Sequence, residues 1–544
     1  MLHLLLKSGK FYNLFSLKIK KSFILHPFLF AIYPSLFLFS HNLDQGVSYS
    51  EIIIPSVIAL CFTLLLILLS GFIFKNSNKA GIFVFIILFL FFSYGHVHIL
   101  TEGWRIGGFL IGRNRYLLLT WGILFICATY SLKKARRNLY KLTNFLNIVA
   151  LSLIFISLIN IGVYEFKIRD SSVNMGRAEF MATSDFNSGE SNNLPNIYFI
   201  ILDSYANLNT LREFLDYDNQ QFIHYLTGKG FDVVSESRSN YLYTTYNIAS
   251  SLNMEYINYL GNSGEIFANK KVYDMTKDNK VMSLFKSQGY KIVHFDSGNT
   301  FTKSSKYEDL NINCGSKIGR FQRELWLSTL LRPIFKYFYF FDEGDAERTL
   351  CIFSKLAEVQ KYIKEPMFVF SHIYAPHTPF VLDSNCNPIE NVYIGTPKES
   401  SDYAKNISGY VDILTCLNTK VKELVERILS EARVEPIIII ASDHGPALDI
   451  TKPDLTIATT AEESMKNFAA FYLPNNGNEF LYESITPVNY FRLVFDRYFD
   501  TKYGLLDDRS YYSPYNGSHK FTDITQFLRK DSNGIPPGFL DAEQ

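Results

Sequence analysis

Five long apolar stretches lie within the first 165 residues, and they constrain the fold more than any other feature of this sequence. A helix of roughly 20 mostly apolar residues is long enough to cross the ~30 Å hydrocarbon core of a membrane. The stretches are residues 22–40, 52–74, 81–100, 116–132 and 145–163. We therefore predict that residues 1–165 form an all-α transmembrane domain of about five helices, and that the protein is integral to a membrane.

Lysine and arginine are unevenly divided among the short segments beside these stretches. Twelve precede the first stretch or lie in the second and fourth connecting loops, whereas the other short loops hold Arg105, Arg113 and Arg115. Because basic loops remain in the cytoplasm, the N-terminus is predicted to be cytoplasmic, and five crossings place the rest of the chain outside. The three arginines on the outer side are interpreted as solvated or snorkelling residues, with contacts to lipid headgroups as the alternative.

Beyond residue 165 the composition becomes that of a soluble protein. Residues 166–194 are polar and have no apolar periodicity, which predicts a linker. In residues 195–515 short apolar runs alternate with helical patterns, which predicts an α/β domain with a mostly parallel sheet and helices on both faces. Residues 516–544 are predicted to be a C-terminal tail. The predicted strands are residues 197–202, 291–295, 367–371, 437–441 and 469–473.

Polar side chains follow four of these strands. They are Asp203, Asp296, His372 with the later His377, and Asp443 with His444. Ligands of open α/β sheets bind at the carboxyl ends of the strands, so we expect these groups to face one site. A single aspartate after a strand is more often a turn or helix cap. Together, however, carboxylates and imidazoles suit a divalent metal ion such as zinc or manganese.

Thr244 is the candidate nucleophile. With Thr245 it precedes a stretch of helical composition within residues 237–253. A threonine at a helix start lies near unpaired amides and the positive end of the helix dipole, which favour an anionic phosphate or sulfate. An ordinary N-cap threonine is the alternative interpretation.

Four of the six cysteines lie in the second half of the chain: Cys314, Cys351, Cys386 and Cys416. If this half is outside the cytoplasm, one or two disulfides are expected, and the sequence leaves their pairing open. No two of these cysteines form a C-x₂₋₄-C pair of the kind that binds zinc. The formal net charge of +1 provides no general attraction for nucleic acid, so no nucleic-acid partner is predicted.

Four sequence blocks occur in the order seen in the alkaline phosphatase superfamily. They are PNIYFIILDSYA at 195–206, SNYLYTTYNIASSLN at 239–253, APHTPF at 375–380 and ASDHGP at 441–446. The chain most resembles sulfatase-like membrane proteins of that superfamily, which include lipoteichoic acid synthases and the phosphoethanolamine transferases of bacterial envelopes. The resemblance implies a multi-pass protein of the bacterial cytoplasmic membrane with an extracytoplasmic catalytic domain.

The resemblance also implies roles for individual residues. One divalent ion (Mn, Zn or Mg) would be held by Asp203, Thr244, Asp443 and His444. Thr244 would be the nucleophile, and His377 would assist catalysis and bind substrate. Substrate would also be bound by Asn240, which opens an N-Y-x-x-T pattern, and by Asp296, which lies near the position of a histidine in lipoteichoic acid synthases.

Two departures from the family pattern refine these expectations. Hydrolytic sulfatases carry a C/S-x-P-S-R motif, whereas Cys386-Asn387-Pro388 continues with Ile389 and lies far downstream of the expected position, so we interpret it as coincidence. Members with two metal ions usually have paired aspartates after the first strand. Here Asp203 is followed by Ser204, which favours a single ion.

The predicted function is a metal-dependent transferase. It would move a phospho-substituent, of the phosphoglycerol or phosphoethanolamine type, from a membrane phospholipid donor to a cell-envelope glycan acceptor. One alternative is a sulfuric or phosphoric ester hydrolase of the same superfamily, and another is an inactive glycan-binding scaffold. A transporter has little support, because the apolar stretches contain few charged residues.

Overall fold

The computed structural model describes residues 23–43, 47–107, 109–136, 138–174, 194–262, 265–315, 320–337, 343–389, 400–446, 462–513 and 520–529. The chain divides into two compact units. The first, called the membrane unit here, comprises Met1–Leu43, Val47–Val163 and Ile318–Tyr339. The second, called the sheet unit, comprises Asp44–Gly46, Tyr164–Lys317 and Phe340–Gln544.

The elements of both units are numbered in chain order. The helices are α1 (His26–Ser40), α2 (Ser50–Phe74), α3 (Ser77–Thr101), α4 (Asn114–Lys134), α5 (Tyr140–Asn174), α6 (Leu208–Leu215), α7 (Gln220–Gly228), α8 (Thr244–Asn253), α9 (Glu265–Lys277), α10 (Lys280–Ser287), α11 (Arg320–Leu327), α12 (Arg332–Tyr337), α13 (Glu343–Tyr362), α14 (Ser400–Glu431), α15 (Pro487–Tyr498) and α16 (Thr525–Leu528). The strands are β1 (Arg105–Ile106), β2 (Phe109–Leu110), β3 (Ile197–Leu202), β4 (Asp232–Val234), β5 (Lys291–Asp296), β6 (Leu310–Asn313), β7 (Met367–Ile373), β8 (Ile437–Ala441), β9 (Ala469–Tyr472), β10 (Tyr511–Tyr512) and β11 (Thr522–Asp523).

The membrane unit contains a helix at each of the five predicted apolar stretches. Helices α2, α3, α4 and the Tyr140–Lys167 part of α5 are long and apolar enough to cross a membrane. Helix α1 has 15 residues, with Pro27 in its first turn. At 1.5 Å per residue it is about 22 Å long, which is short of the ~30 Å hydrocarbon core. Among the described residues, four helices therefore meet the length requirement, and the helix at the first predicted span is shorter than the apolar stretch suggests.

Side-chain contacts bring the starts of α1 and α3, the end of α4 and the first turns of α5 to the same end of the membrane unit. Lys79 Nζ in α3 donates to the carbonyl oxygen of Lys133 in α4 at 3.2 Å. Asn147 Oδ1 in α5 accepts hydrogen bonds from the backbone amides of Leu25 and His26 at 3.2 and 2.9 Å. These amides begin α1 and would otherwise lack intrahelical partners.

Helices α11 and α12 belong to the membrane unit, although the sequence on either side of them belongs to the sheet unit. The Gly95 amide in α3 donates to the carbonyl oxygen of Ser328 at 3.0 Å, and the Leu330 amide donates to the carbonyl oxygen of Phe91 at 2.8 Å. A Cβ atom at Gly95 would lie 2.4 Å from the carbonyl oxygen of Leu327. The absence of a side chain at Gly95 therefore permits this backbone contact.

Substitution Gly95→Ala is expected to lower the melting temperature of the full-length protein in detergent. Alanine favours a helix over glycine by up to about 1 kcal/mol, but the forced contact with backbone should cost roughly 1–3 kcal/mol. The matched control is Gly122→Ala in α4, where a Cβ meets no atom of the described residues within 4 Å. Equal melting temperatures for the two variants would contradict the contact.

The sheet unit is built on a seven-stranded sheet within the described residues, in the order β4-β9-β8-β3-β7-β5-β6. Strands β8, β3, β7, β5 and β6 pair in parallel, while β9 is antiparallel to both β8 and β4. Every residue of β3, β7 and β8 is buried. The fold is therefore the predicted one, a mostly parallel sheet with helices, preceded by an apolar helical region.

Alternate residues of the central strands pack into two separate cores, one on each face of the sheet. Tyr198 and Ile200 of β3 pack in the core that includes Leu414 of α14. Phe199 of β3 packs in the core that includes Phe491 of α15. Helices on both faces explain why these strands are continuous apolar runs, since each strand is buried on two sides.

The four cysteines of the sheet unit form two disulfides, Cys314–Cys351 and Cys386–Cys416. They close loops with sequence separations of 37 and 30 residues. A disulfide that closes a loop of this length lowers the conformational entropy of the unfolded chain, which stabilises the folded state by about 4 kcal/mol. Disulfides persist in oxidising compartments.

The structure adds detail at the predicted boundaries. Strands β4 and β6 were not predicted, and β6 (LNIN) has three exposed residues of four and so no apolar run. Within the predicted linker 166–194, α5 continues to Asn174, and residues 175–193 lie outside the described residues. Part of the predicted tail 516–544 is ordered into β11 and α16, where Leu528 is buried.

Candidate active site

The carboxyl ends of β8, β3, β7 and β5 lie side by side, because these neighbouring strands are all parallel. Asp203 directly follows β3, and Asp296 is the last residue of β5. His372 is the penultimate residue of β7, and Asp443 lies two residues beyond β8. The structure thus brings these groups to one edge of the sheet, where α/β proteins bind their ligands.

Asp203 is fully buried in the turn that leaves β3. The next residue, Ser204, has a left-handed φ of 67°. Its amide donates to Asp443 Oδ1 at 3.1 Å, and its hydroxyl donates to Asp203 Oδ1 at 3.0 Å. The Tyr205 amide donates to Ser442 Oγ at 2.8 Å. Ser204 in the turn after β3 therefore holds both carboxylates, Asp443 through its backbone amide and Asp203 through its hydroxyl.

Asp203, His372 and Asp443 form a buried group that could hold a metal ion. Each offers one ligand atom, and these atoms lie within 4.8 Å of one another. Asp443 Oδ2 is buried and has no hydrogen-bond partner among the described residues. Burying a carboxylate oxygen that accepts no hydrogen bond raises the free energy of the folded state unless a cation lies beside it. Carboxylates with imidazoles suit zinc or manganese, so the residues fit a divalent metal ion.

His444 adds a second imidazole to this group. Its Nε2 lies 3.3 Å from Asp443 Oδ2 and 3.9 Å from Asp203 Oδ1. Its Nδ1 lies 2.8 Å from the carbonyl oxygen of Gly445, which can accept a hydrogen bond from that nitrogen. Burial disfavours a charged ring, but the carboxylates of Asp443 and Asp203 raise the pKa of His444 above its ordinary value. The cluster attracts positive charge, and a metal ion bound there would displace the proton.

Gly445 allows the backbone to pass close to a neighbouring segment. A Cβ atom at this position would lie 2.3 Å from the carbonyl oxygen of Glu463 and 2.8 Å from that of Lys466. The Gly445 amide donates to the carbonyl oxygen of Ser464 at 2.7 Å. This contact holds the turn that carries Asp443 and His444.

Thr244 is the first residue of α8, and its hydroxyl oxygen lies 3.1 Å from His444 Nε2. Tyr243 is the N-cap residue of this helix. Thr244 is therefore not the ordinary N-cap threonine of the alternative interpretation. Its half-buried hydroxyl lies where the amides of the first turn and the helix dipole favour an anion.

His377 is held beside Asp203 by its backbone, since its amide donates to the carbonyl oxygen of Asp203 at 3.0 Å. Its Nδ1 lies 2.6 Å from the carbonyl oxygen of Thr378, and its Nε2 lies 3.4 Å from the Tyr374 hydroxyl. Burial would raise the pKa of the Asp203 carboxyl, but the imidazoles of His377 and His372 hold that pKa well below its usual range. Asp203 is thus ionised, as a metal ligand must be.

Asn240 is fully buried, and its amide is occupied within the protein. Its Oδ1 accepts from the Val488 amide at 2.8 Å, and its Nδ2 donates to the carbonyl oxygen of Arg509 at 2.9 Å. These contacts brace the loop that leads to Thr244. They lend no support to substrate binding by Asn240, which stays a prediction from the family resemblance alone.

Asp296 lies next to the metal-binding group across the sheet. It follows Phe295, which pairs with Ser371, so it lies beside His372. Its Oδ1 accepts from the Gly298 amide at 2.8 Å. The predicted role of Asp296 in substrate binding remains a prediction.

His372 is expected at this edge of the sheet, but no individual role in metal binding, catalysis or substrate binding is predicted for it. The predicted strand ended at Ser371, whereas β7 continues to Ile373. Parallel pairing aligns His372 with Ile201, two residues before Asp203, and His372 Nε2 lies 3.1 Å from Asp203 Oδ2. The position of His372 at the carboxyl end of a buried strand indicates a place near the site. The sequence alone, however, does not show whether His372 or the nearby His377 contacts Asp203.

A family model described as sulfatase matches residues 217–492, just over half of the 544 residues. The chain belongs to the sulfatase family. The matched region includes Thr244, His377 and Asp443, while Asp203 precedes it. The sheet unit therefore has the enzyme fold of the alkaline phosphatase and sulfatase superfamily, and family membership leaves transfer and hydrolysis equally open.

Several solved structures are similar to parts of the chain. The periplasmic domain of EcEptC from Escherichia coli, crystallised with zinc, is 11% identical and covers 62% of this chain and 94% of its own, with a TM-score of 0.44. The integral membrane lipooligosaccharide phosphoethanolamine transferase A from Neisseria meningitidis is 10% identical and covers 86% and 94%, with a TM-score of 0.38. The phosphonate monoester hydrolase of Agrobacterium radiobacter is 11% identical and covers 59% and 80%, with a TM-score of 0.39. No curated protein sequence matches the chain.

Proposed function

We propose that this protein is a metal-dependent transferase that moves a phospho-substituent from a membrane phospholipid to a cell-envelope glycan, with Thr244 as the nucleophile. The observation that carries the proposal is the position of the Thr244 hydroxyl. It lies at the start of a helix, 3.1 Å from His444 Nε2, and that nitrogen lies 3.3 and 3.9 Å from the buried carboxylates of Asp443 and Asp203. The second supporting observation is that the described part of the same chain contains four helices long and apolar enough to cross a membrane.

The metal ion would be held by Asp203, Asp443 and His444, with the Thr244 oxygen as a further ligand. When bound, it would supply Lewis acidity that lowers the cost of ionising a hydroxyl and of building charge on a phosphate. The strongest physical support for this arrangement is Asp443 Oδ2, which is buried, accepts no hydrogen bond among the described residues and lies 3.3 Å from His444 Nε2. The ion would be manganese, zinc or magnesium.

The reaction divides into two displacements at one phosphorus atom. In the first, the Thr244 hydroxyl gives its proton to solvent water and its oxygen bonds to the phosphorus, while the bond from phosphorus to the diacylglycerol oxygen breaks. His377 Nε2 gives a proton to that leaving oxygen. In the second, a glycan hydroxyl oxygen bonds to the phosphorus, its proton passes to His377, the bond from phosphorus to the Thr244 oxygen breaks, and that oxygen takes a proton from solvent water. Splitting the transfer in this way is what nucleophilic catalysis achieves.

The orientation that we propose rests on the four long helices. The loops after α2 and α4 are rich in lysine and arginine, and the Lys79–Lys133 contact joins them at one end of the membrane unit. If that end is cytoplasmic, α5 leaves the membrane on the outer side and the sheet unit is extracytoplasmic. Helix α1 begins at the same end, beside Asn147, which makes the N-terminus cytoplasmic. The two disulfides suit the oxidising outer compartment.

The disulfides also bear on the alternative of an ordinary sulfatase. Cys386 is the cysteine that begins a partial C-x-P match, and it is paired with Cys416. A disulfide-bonded cysteine is not available for conversion to formylglycine. This leaves Thr244 as the favoured nucleophile, whether the acceptor is a glycan or water.

Turnover of headgroup-labelled phosphatidylglycerol and phosphatidylethanolamine tests the proposal. Purified, manganese-loaded full-length protein in detergent is expected to release diacylglycerol from one of these lipids, and EDTA should stop the release. The lipid that reacts identifies the donor headgroup. Cleavage of a soluble sulfate or phosphate monoester, with neither lipid consumed, would contradict the transferase and favour the hydrolase.

A further inference from the structure

Residues 520–529, called the C-terminal segment here, pack against the part of the chain that carries Thr244. Strand β11 of this segment pairs antiparallel with β10. Tyr511 of β10 in turn pairs in parallel with Tyr241, and the Tyr511 amide donates to the carbonyl oxygen of Asn240 at 2.8 Å. Three short segments therefore lie side by side, and one of them leads directly into Thr244.

The C-terminal segment also contacts the chain on both sides of Thr244. The Phe521 ring packs edge-on against Tyr241, three residues before Thr244, with 5.3 Å between the ring centroids. The same ring packs edge-on against Tyr246, two residues after Thr244, with 5.4 Å between the centroids. Tyr246 lies in the first turn of α8. One side chain of the segment thus contacts both flanks of the candidate nucleophile.

A third apolar core of the sheet unit joins the C-terminal segment to the turn that carries His444. Among the described residues, its buried members are Leu242, Met465, Tyr512, Ile524 and Leu528. The Met465 carbonyl oxygen accepts from the Ser239 amide at 2.8 Å, and the carbonyl oxygen of the adjacent Ser464 accepts from the Gly445 amide at 2.7 Å. The segments that carry Thr244 and His444 are therefore anchored to one core, which includes two buried side chains of the C-terminal segment.

We propose that the C-terminal segment is a positioning element that holds Thr244 Oγ1 against His444 Nε2. The inference rests on the proposed function, because it takes Thr244 as the nucleophile. Strands β10 and β11 form a sheet of their own, apart from the seven-stranded sheet, so the segment adds to the surroundings of Thr244 and not to the pairing of the central strands. A displacement of a reacting group by about 1 Å can lower a rate about 10²-fold.

The test compares Leu528→Ala with Leu424→Ala in the full-length protein. Both leucines are 2% exposed, but Leu424 packs in the core to which the described residues of α8 contribute no side chain. Leu528→Ala is expected to lower kcat for headgroup release about 10²-fold with KM nearly unchanged, because the reacting group is displaced while the groups that bind substrate remain. Leu424→Ala should keep a kcat close to wild type, since it leaves the third core intact.

Two further variants separate positioning from a general loss of packing. Leu528→Met nearly conserves the volume of the side chain and should restore kcat to within a few-fold of wild type. Gln526→Ala changes an exposed residue of α16 and should behave like wild type. A kcat for Leu528→Met as low as that for Leu528→Ala would overturn the inference.

Hydrogen exchange in the peptide that covers residues 241–250 is a second readout, and it needs no substrate. Exchange in this peptide should be faster in Leu528→Ala than in wild type, and unchanged in Leu424→Ala. A wild-type kcat or wild-type exchange in folded Leu528→Ala, or an equal loss of kcat in Leu424→Ala, would overturn the positioning role and leave the proposed function intact.

Failure of the proposed function has a different signature. A wild-type protein that consumes neither lipid would overturn the transferase, and the exchange comparison would then decide the positioning role by itself. If Leu528→Ala does not fold, Phe521→Leu removes the ring contacts with Tyr241 and Tyr246. Unchanged kcat and unchanged exchange in that variant would equally overturn the inference.

Discussion

Substitution Asp443→Asn is expected to abolish tight metal binding and, with it, lipid turnover. Asparagine keeps an oxygen to accept the Ser204 amide, which donates to Asp443 Oδ1 at 3.1 Å, but it removes the charge that faces the cluster. Losing a ligand should cost more than the roughly 10–100-fold in affinity that an outer partner costs. Asp443→Ala should have the same effect on metal content and should also destabilise the turn after β3.

The measurement is metal content after dialysis, together with the melting temperature with and without manganese. A metal ion at 100 times its dissociation constant stabilises the wild-type protein by about 2.7 kcal/mol, and this increment should vanish in both variants. Asp507→Ala is the control, because its carboxylate is mostly exposed, with a side-chain exposure of 83%. Full metal content and activity in Asp443→Ala would refute the assignment of this residue.

Substitution Thr244→Ala is expected to lower headgroup release by at least about 10⁴-fold, as the loss of a catalytic nucleophile does in other enzymes. The hydroxyl that would form the covalent bond is removed, and no neighbouring group replaces it in the geometry described. Thr244→Ser keeps a hydroxyl and should retain measurable release. The assay is release of labelled headgroup from the donor lipid, at equal metal content for each protein.

Thr245→Ala is the matched control for this prediction. Thr245 is adjacent in sequence and also lies in the first turn of α8, whereas the contact with His444 Nε2 is made by Thr244 Oγ1. The control should therefore release headgroup at close to the wild-type rate. A Thr244→Ala protein within 10-fold of wild type, or a severe defect in Thr245→Ala instead, would move the nucleophile to another residue.

The parts of the fold that could be predicted are those in which buried side chains form a continuous run of apolar residues in the sequence. Strands β3 and β8 are buried on both faces, so they are continuous apolar runs, and their ends locate Asp203 and Asp443. The five apolar helices could also be predicted from the sequence, because a helix that crosses lipid needs a long run of mostly apolar residues. Strand β6 was missed, since its side chains are mostly exposed and leave no apolar run.

Other features depend on contacts between distant segments, and local sequence does not encode them. The contact of His372 with Asp203 depends on the register between β7 and β3. The membership of α11 in the membrane unit depends on backbone bonds to Gly95 and Phe91, which carry no compositional signal. The Asn240 side chain likewise bonds to backbone groups that are distant in sequence, and its predicted role in substrate binding stays a prediction.

We propose that Thr244 attacks a lipid phosphodiester and becomes covalently modified, and mass spectrometry of the peptide that carries Thr244 would detect that modification. Full-length, manganese-loaded protein would be mixed with the donor lipid in the absence of glycan and quenched within the first turnover. We expect a phospho-headgroup ester on Thr244, and we expect no such ester in Thr244→Ala. Release of diacylglycerol in that first turnover with Thr244 unmodified, or an ester on a different residue, would contradict it.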